Sequence, residues 1–396
     1  MRVKIRKKVL DKLKDIADRC YIDEICGELA YGYDENWHYD DRTVLLMRSL
    51  DLKSRMARQG LECSDDKALA AVVLDDLAMD LDLDYDPDDL WDAVAALTSC
   101  ARVFHKGEFD DDAFLKNIRI AEQASDGCKV SVDSILKYDI RTYPSFDSDS
   151  SRLDPPCIAV FDSRMVFPHM ECGYFKNFSV NPYVILMMKR PIEKSHGNVL
   201  AFGCCLGYYA YMASQKSDVD SITIVEDSED VRDFFDNHIL PQFPNEKKIK
   251  VIQSEYVEYA SKIADGQFDC CFLDSYQDIV FLPVELAIRK ILYGFVNTET
   301  ILFGNDESGD MVRRRIFDMM LYSLPDKQRA DFCGRYAPYV LKDDRLYDCM
   351  RKIFAGIEIS EPEDVDYWLD SRNFFDRIFK SKVELPDKIA FESNWK

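Results

Sequence analysis

Four places in the second half of the chain carry residues that can do chemistry, and each stands where an apolar run ends. Asn198-Val-Leu-Ala-Phe202 runs into Gly203-Cys204-Cys205-Leu206-Gly207. Glycine in such a turn lets backbone approach a ligand, and the N-terminus of a following helix favours negative charge. Ser221-Ile-Thr-Ile-Val225 ends in Glu226, 19 residues after Gly207. A carboxylate there is a two-oxygen acceptor for a pair of vicinal hydroxyls. Ile249-Lys-Val-Ile-Gln253 is followed by Ser254-Glu255-Tyr256, whose acid can accept from an amino group. Phe268-Asp-Cys-Cys-Phe-Leu273 ends at Asp274, on the rim where a substrate would lie. A GxGxxG fingerprint would need glycine at 203, 205 and 208; the chain has Gly203, Cys205 and Tyr208, so that motif fails twice. A GxGxG spacing fails only at Cys205.

These residues need a scaffold that brings strand ends together. From 196 to about 306 the chain alternates apolar strand segments (198–202, 221–225, 249–253, 268–273, 300–303) with helical ones (208–215, 228–239, 257–264, 282–292). Repeated strand–helix units predict a parallel, doubly wound sheet, whose ligands bind at the carboxyl ends of the strands. Residues 1–125 read as an all-helical N-terminal domain, with helices at the start, near 42–59, over 67–81, from the Asp86-Pro87 cap, and near 111–123. Residues 126–195 read as an extended connecting segment, with a hairpin of 157–161 and 165–167 across Asp162-Ser163-Arg164. Residues 196–308 form the Rossmann-like domain and 309–396 a helical C-terminal extension, with strand candidates at 335–341 and 388–392.

Composition narrows the class of function. With 396 residues, 47% of them hydrophobic, the chain can bury a sizeable core. It carries 73 acidic and 51 basic residues, a net charge of −22, which argues against a phosphate-backbone partner. No run of eighteen apolar residues and no signal-peptide pattern occurs, so a cytoplasmic protein without a membrane span is expected. Thirteen cysteines, an odd number, are then expected to be reduced, buried thiols. The aspartates at 80, 82, 84, 86 and 88 fail as a calcium loop, because a start at Asp82 puts Pro87 and Ala93 where glycine and glutamate belong. The five histidines have no ligand-like spacing, and no metal site is expected.

Over about 110 residues, from His196 to Asn305, the sequence resembles the class I S-adenosylmethionine-dependent methyltransferases. The family's glycine motif is similar to Val199-Leu-Ala-Phe-Gly-Cys-Cys-Leu-Gly207, and its ribose acid matches Glu226 in Ile224-Val-Glu-Asp227. Its adenine motif is similar to Ser254-Glu-Tyr256, and its motif after the fourth strand to Phe268-Asp-Cys-Cys-Phe-Leu-Asp274. The resemblance implies S-adenosylmethionine as cofactor. It also implies Gly203, Cys205, Gly207, Glu226, Glu255 and Asp274 as cofactor-binding residues, with Asp274 the one candidate for catalysis. The methyl acceptor would be a small molecule, a peptide or a protein.

Three departures bear on activity. Ala201 stands where the family often has an acid, Cys205 replaces the middle glycine, and no clear sixth and seventh strands follow the fifth. A non-catalytic protein with a degenerate pocket is therefore the alternative, the helical N-terminal region serving as its interaction surface. A remoter alternative is an aminopropyltransferase, a family that shares the cofactor fold and places a hairpin before it. Gln277 stands where its second loop acid would fall. The stripe Tyr208, Tyr209 and Tyr211 either shields a cofactor or packs the first helix, and His169 is a base only if it reaches the site.

Overall fold

The computed structural model describes residues 1–31, 49–54, 57–58, 64–80, 85–120, 123–125, 127–143, 157–172, 176–274, 282–303, 307–330, 332 and 345–385. The first strands are β1 (Arg2–Val3), β2 (Arg102–Phe104), β3 (Gln123–Ser125), β4 (Cys128–Ile135), β5 (Ile140–Tyr143), β6 (Cys157–Phe161), β7 (Met165–Cys172) and β8 (Lys176–Ser179). Helices α1 (Lys7–Tyr31), α2 (Asp65–Asp80), α3 (Pro87–Cys100), α4 (Ala113–Asn117) and α5 (Pro182–Lys194) lie among and after them.

The central sheet holds β9 (Gly197–Phe202), β10 (Val219–Glu226), β11 (Ile249–Gln253), β12 (Cys270–Leu273) and β13 (Glu299–Leu302). Its order is β11-β10-β9-β12-β13, and every pair is parallel. Counted along the chain that is 3-2-1-4-5, so the order reverses between β9 and β12. The connecting helices are α6 (Tyr208–Ser214), α7 (Glu229–Phe234), α8 (Tyr256–Ala260) and α9 (Leu282–Leu292).

Both faces of this sheet are covered, which explains strands that read as continuous apolar runs rather than as alternations. Val199 and Ala201 of β9 enter one core with Ile222, Ile224, Phe272 and Ile301. Leu200 and Phe202 enter the opposite one with Val225, Leu273 and Ile288. The adjacent pair Cys270-Cys271 follows from the same two-residue period: Cys270 faces the first core and Cys271 the second. Burial pushes the Cys271 thiol up to about 12, so it stays protonated and serves as a small apolar group.

The segment before the sheet departs from expectation. Strands β6 and β7 do not form a hairpin. β6 pairs with β2 and β5, whereas β7 pairs with β4 and β8 in a different sheet. The link between them is pinned toward β2, since the Asp162 carboxylate accepts from the Lys106 backbone N–H at 3.0 Å and meets His105 Nδ1 at 2.8 Å. Nor are all thirteen cysteines reduced: Cys128 and Cys172, opposite each other on β4 and β7, form a disulfide. A chain-wide cysteine count carries no information about two strands meeting in register.

The first 125 residues are not wholly helical either. They contain β1, β2 and β3, and the helix expected near 111–123 is only Ala113–Asn117. Strand β2 was missed because its partner β6 lies more than fifty residues away, beyond any local period. Of the helix expected at 42–59, residues 49–54 and 57–58 are described, and both stretches are helical. The strand candidates at 335–341 and 388–392 lie outside the described residues. The cap at α3 is as read: Asp86 accepts from the Asp88 N–H, and Pro87 opens the helix.

Helix α1 joins two cores. Its first half buries Val9, Leu13, Ile16 and Cys20 against Ile316, Phe317, Phe354 and Phe374 of the C-terminal helices α10 (Glu307–Tyr322) to α14 (Ser371–Lys380). Its second half buries Ile25, Cys26 and Leu29 against Val73, Ala93 and Leu97. β1 also pairs in parallel with β14 (Glu358–Ile359), so the chain's start and its last part share one structure. Leu13 is fully buried. Leu13→Ala should therefore cost about 2–5 kcal/mol in a denaturant titration. A cost near zero would show that α1 is not held by the C-terminal helices.

Candidate functional site

The reversal between β9 and β12 leaves a crevice at the carboxyl ends of these strands, where open α/β sheets bind ligands. β9 feeds directly into the turn 203–207. Gly203 donates its N–H to Val225 O at 2.8 Å, tying the turn to β10. Its φ of +92° is the left-handed region, and Gly207 at +83° is the N-cap of α6. Gly207 is required twice over, because a Cβ there would come within 2.8 Å of Phe235 and 2.9 Å of Ile239. A Cβ on Gly203 would find its nearest neighbour, the Tyr256 hydroxyl, at 3.8 Å, so room remains above that residue. Between the two glycines Cys205 also takes a left-handed conformation, φ +46°. Its Sγ donates to Asp274 Oδ2 at 3.4 Å, linking the ends of β9 and β12 across the reversal.

Glu226 is not an open strand-end acid. It is 1% exposed. Its Oε2 accepts from the Cys204 N–H at 3.1 Å and from the Cys204 Sγ at 3.4 Å. Its Oε1 accepts from the Ser228 N–H at 3.0 Å and from the Tyr256 hydroxyl at 3.3 Å. A carboxylate survives such burial because each oxygen is given charge-assisted donors. Burial first, and then the Glu226 carboxylate, push the Tyr256 phenol well above its ordinary range, so it stays a donor.

A cavity lies against this turn, an open depression whose enclosed part has room for water-sized molecules. Ala201, Gly203, Cys205, Tyr209, Asp274 and Phe303 line its sheet side, and Phe178, Val180, Val184 and Met188 its other wall. Among the described residues no Lys, Arg or His lines it. The Ser179 hydroxyl, also in the lining, is buried with no hydrogen-bond partner among the described residues.

Of the expected site residues, Gly203, Cys205 and Asp274 meet at this cavity; Gly207 shapes the turn from behind. Glu226 holds the turn from within the protein. Glu255 stands apart: it is exposed at the N-cap of α8 and makes no capping bond with its side chain. The tyrosine stripe packs α6, and Tyr208 and Tyr209 also line the cavity. Tyr208 donates to Asp112 at 2.9 Å, Tyr211 accepts from Asn117 at 3.0 Å, and Tyr209 stacks on Phe272 at 3.9 Å. His169 faces Glu171 at 3.5 Å instead. Sequence reasoning assigned no role to Tyr256, though it stands beside Glu255 in a quoted motif. It had no signal at all for Ser179, whose place depends on where β8 meets α5.

An adenosyl group fits these residues in part. The glycine turn offers backbone and space, and Glu226 is the right chemistry for two hydroxyls. That carboxylate is nevertheless already held by three neighbours.

No family model matches the chain, and no curated protein does. Among solved structures it is similar to spermidine synthase from Thermotoga maritima, with 14% identity over 34% of this chain and a TM-score of 0.26. It spans half the length of that protein. It is also similar to a caffeoyl-CoA O-methyltransferase from Staphylococcus aureus described as putative, with 15% identity over 38% of this chain and 70% of that one, TM-score 0.25. A third is the methyltransferase domain of bacterial CtHen1, with 20% identity over 30% of this chain and 62% of that one, TM-score 0.25. These neighbours have a methyltransferase-like, Rossmann-like fold. With TM-scores so low and segments so short, the fold of this chain stands on its own parallel strand order.

Two substitutions separate support from contact. Glu226→Ala strands the buried Cys204 N–H and the part-buried Ser228 N–H, so unfolding free energy should fall by about 1–3 kcal/mol. A melting curve matching the wild type's would contradict the brace. Cys205→Gly releases a left-handed residue, which costs roughly 1–2 kcal/mol for a side chain with a Cβ. Its stability should stay level or rise; a clear loss would show that the thiol–Asp274 bond outweighs the strain.

Proposed function

We propose that this chain binds S-adenosylmethionine at the reversal between β9 and β12 and transfers its methyl group to a small-molecule, peptide or protein acceptor. The observation that carries this is the joining of turn and acid: the Cys204 N–H on Glu226 ties the glycine turn at the crevice to a carboxylate buried behind it. A bound sulfonium would supply an activated methyl group whose departure leaves a neutral thioether. The chain then needs no nucleophile, and positioning contributes most of the rate. Apolar walls at Phe178, Val184 and Met188 would give the acceptor a hydrophobic surface. Asp274, on its rim, is the candidate group to hold an acceptor's proton. The charge of −22 favours acceptors other than nucleic acid. Among the described residues no helix is long and apolar enough to cross a membrane.

The second reading is a non-catalytic, methyltransferase-like interaction protein, with residues 1–125 as its surface for a partner. What favours it is Glu226, whose carboxylate is buried and bonded internally, together with Ala201 and Cys205 in the lining. The 157–172 hairpin expected for aminopropyl transfer is not formed, because β6 and β7 belong to separate sheets and β7 pairs antiparallel with β8 instead.

Calorimetric titration with S-adenosylhomocysteine decides between the first two. Methyl transfer requires binding, expected at a micromolar dissociation constant, about −8 kcal/mol. No heat at roughly millimolar ligand, a level equivalent to only about −4 kcal/mol, would leave the non-catalytic reading.

A further inference from the structure

We infer that Tyr256 is a latch on the nucleoside half of the crevice: its hydroxyl takes the place on Glu226 that a ribose hydroxyl needs, and it must swing away for an adenosyl ligand to seat. This depends on the adenosyl reading above. Glu226 has three strong donors, and they differ in how easily they can leave. The Cys204 and Ser228 N–H groups are backbone, one in the glycine turn and the other in the N-cap of α7. Removing either means rebuilding the turn or the helix start. Tyr256 is a side chain at the first position of α8, a helix of only five residues. Its bond to Oε1, at 3.3 Å, is also longer than the two backbone bonds at 3.1 and 3.0 Å.

Position supports the same conclusion. The hydroxyl is the nearest atom to the open space above Gly203, at 3.8 Å from a Cβ built there. The ring meets Phe202 edge-on at 6.0 Å, a contact that Tyr256→Phe keeps while deleting the bond to Glu226. The tyrosine thus does two things with one oxygen. It satisfies a buried carboxylate when no ligand is present, and it competes with any vicinal diol for that carboxylate. A ligand pays for the exchange only by what its own hydroxyls return, so apparent affinity is lowered by the fraction of molecules with the latch closed.

The test titrates S-adenosylhomocysteine into wild type, Tyr256→Phe and Tyr256→Ala, with a melting curve for each. The latch predicts that Tyr256→Phe binds roughly tenfold tighter or better, since one hydrogen bond to a charged group no longer has to break. Adenosine and 2′,3′-dideoxyadenosine are compared on the same proteins. The preference for adenosine should rise in Tyr256→Phe, because the freed oxygen now accepts from ribose; a purely structural role for Tyr256 would not change that ratio. Equal affinities across folded variants would overturn the latch and leave the adenosyl site standing. Weaker binding by Tyr256→Phe would show that the hydroxyl contacts the ligand, which also overturns the latch. If no protein binds, the adenosyl reading fails and the latch falls with it. Binding by the variants alone supports both.

Discussion

The buried carboxylate of Glu226 is the constraint around which the crevice is built. A charge in an interior position must be compensated nearby, and the compensation here comes from the backbone of two turns and one phenol. The bonds fix where β10 ends, where the turn after β9 runs and where α7 begins. Because the turn is held at 203–207, α6 starts at Gly207, and its tyrosines reach α4 and the sheet. A single acid at a strand end thereby sets three connections of the sheet.

Consistency across levels follows from this arrangement. Parallel strands covered on both faces concentrate their site residues at their carboxyl ends, and those ends converge at the reversal of strand order. One wall of the cavity is made by residues from before the sheet, Phe178, Val180, Val184 and Met188. The extended segment of the chain is therefore part of the site and not merely a connection to it. Elsewhere α1 spans two cores, its first half packed with the C-terminal helices and its second half with α2 and α3.

The sheet was legible because its signals are local. Each strand is an apolar run of four to eight residues ending at a polar one, and the observed strands fall within about two residues of those expected. Glycines at 203 and 207 were legible for the same reason: a left-handed turn restricts the residue type at its own position. What could not be read was pairing between distant segments. The Cys128–Cys172 bond and the β2–β6 pair depend on partners more than forty residues apart, and the split of β6 from β7 follows from their pairing with β2 and β4 rather than with each other. Glu226 shows the limit within the site. Its identity and place were plain, but an acid facing solvent and an acid facing two backbone amides look alike in sequence. The difference lies in where Ser228 and Tyr256 come to rest.

Amide hydrogen exchange tests that brace most directly, because it reads individual N–H groups without any ligand. In Glu226→Gln one oxygen becomes an amide nitrogen that cannot accept, while shape is kept. The brace predicts faster exchange at Cys204 or Ser228, with protection inside β9, at Val199 and Leu200, left as in the wild type. Unchanged protection at both turn amides would contradict it, and the carboxylate would then be a passenger in a turn held by other means.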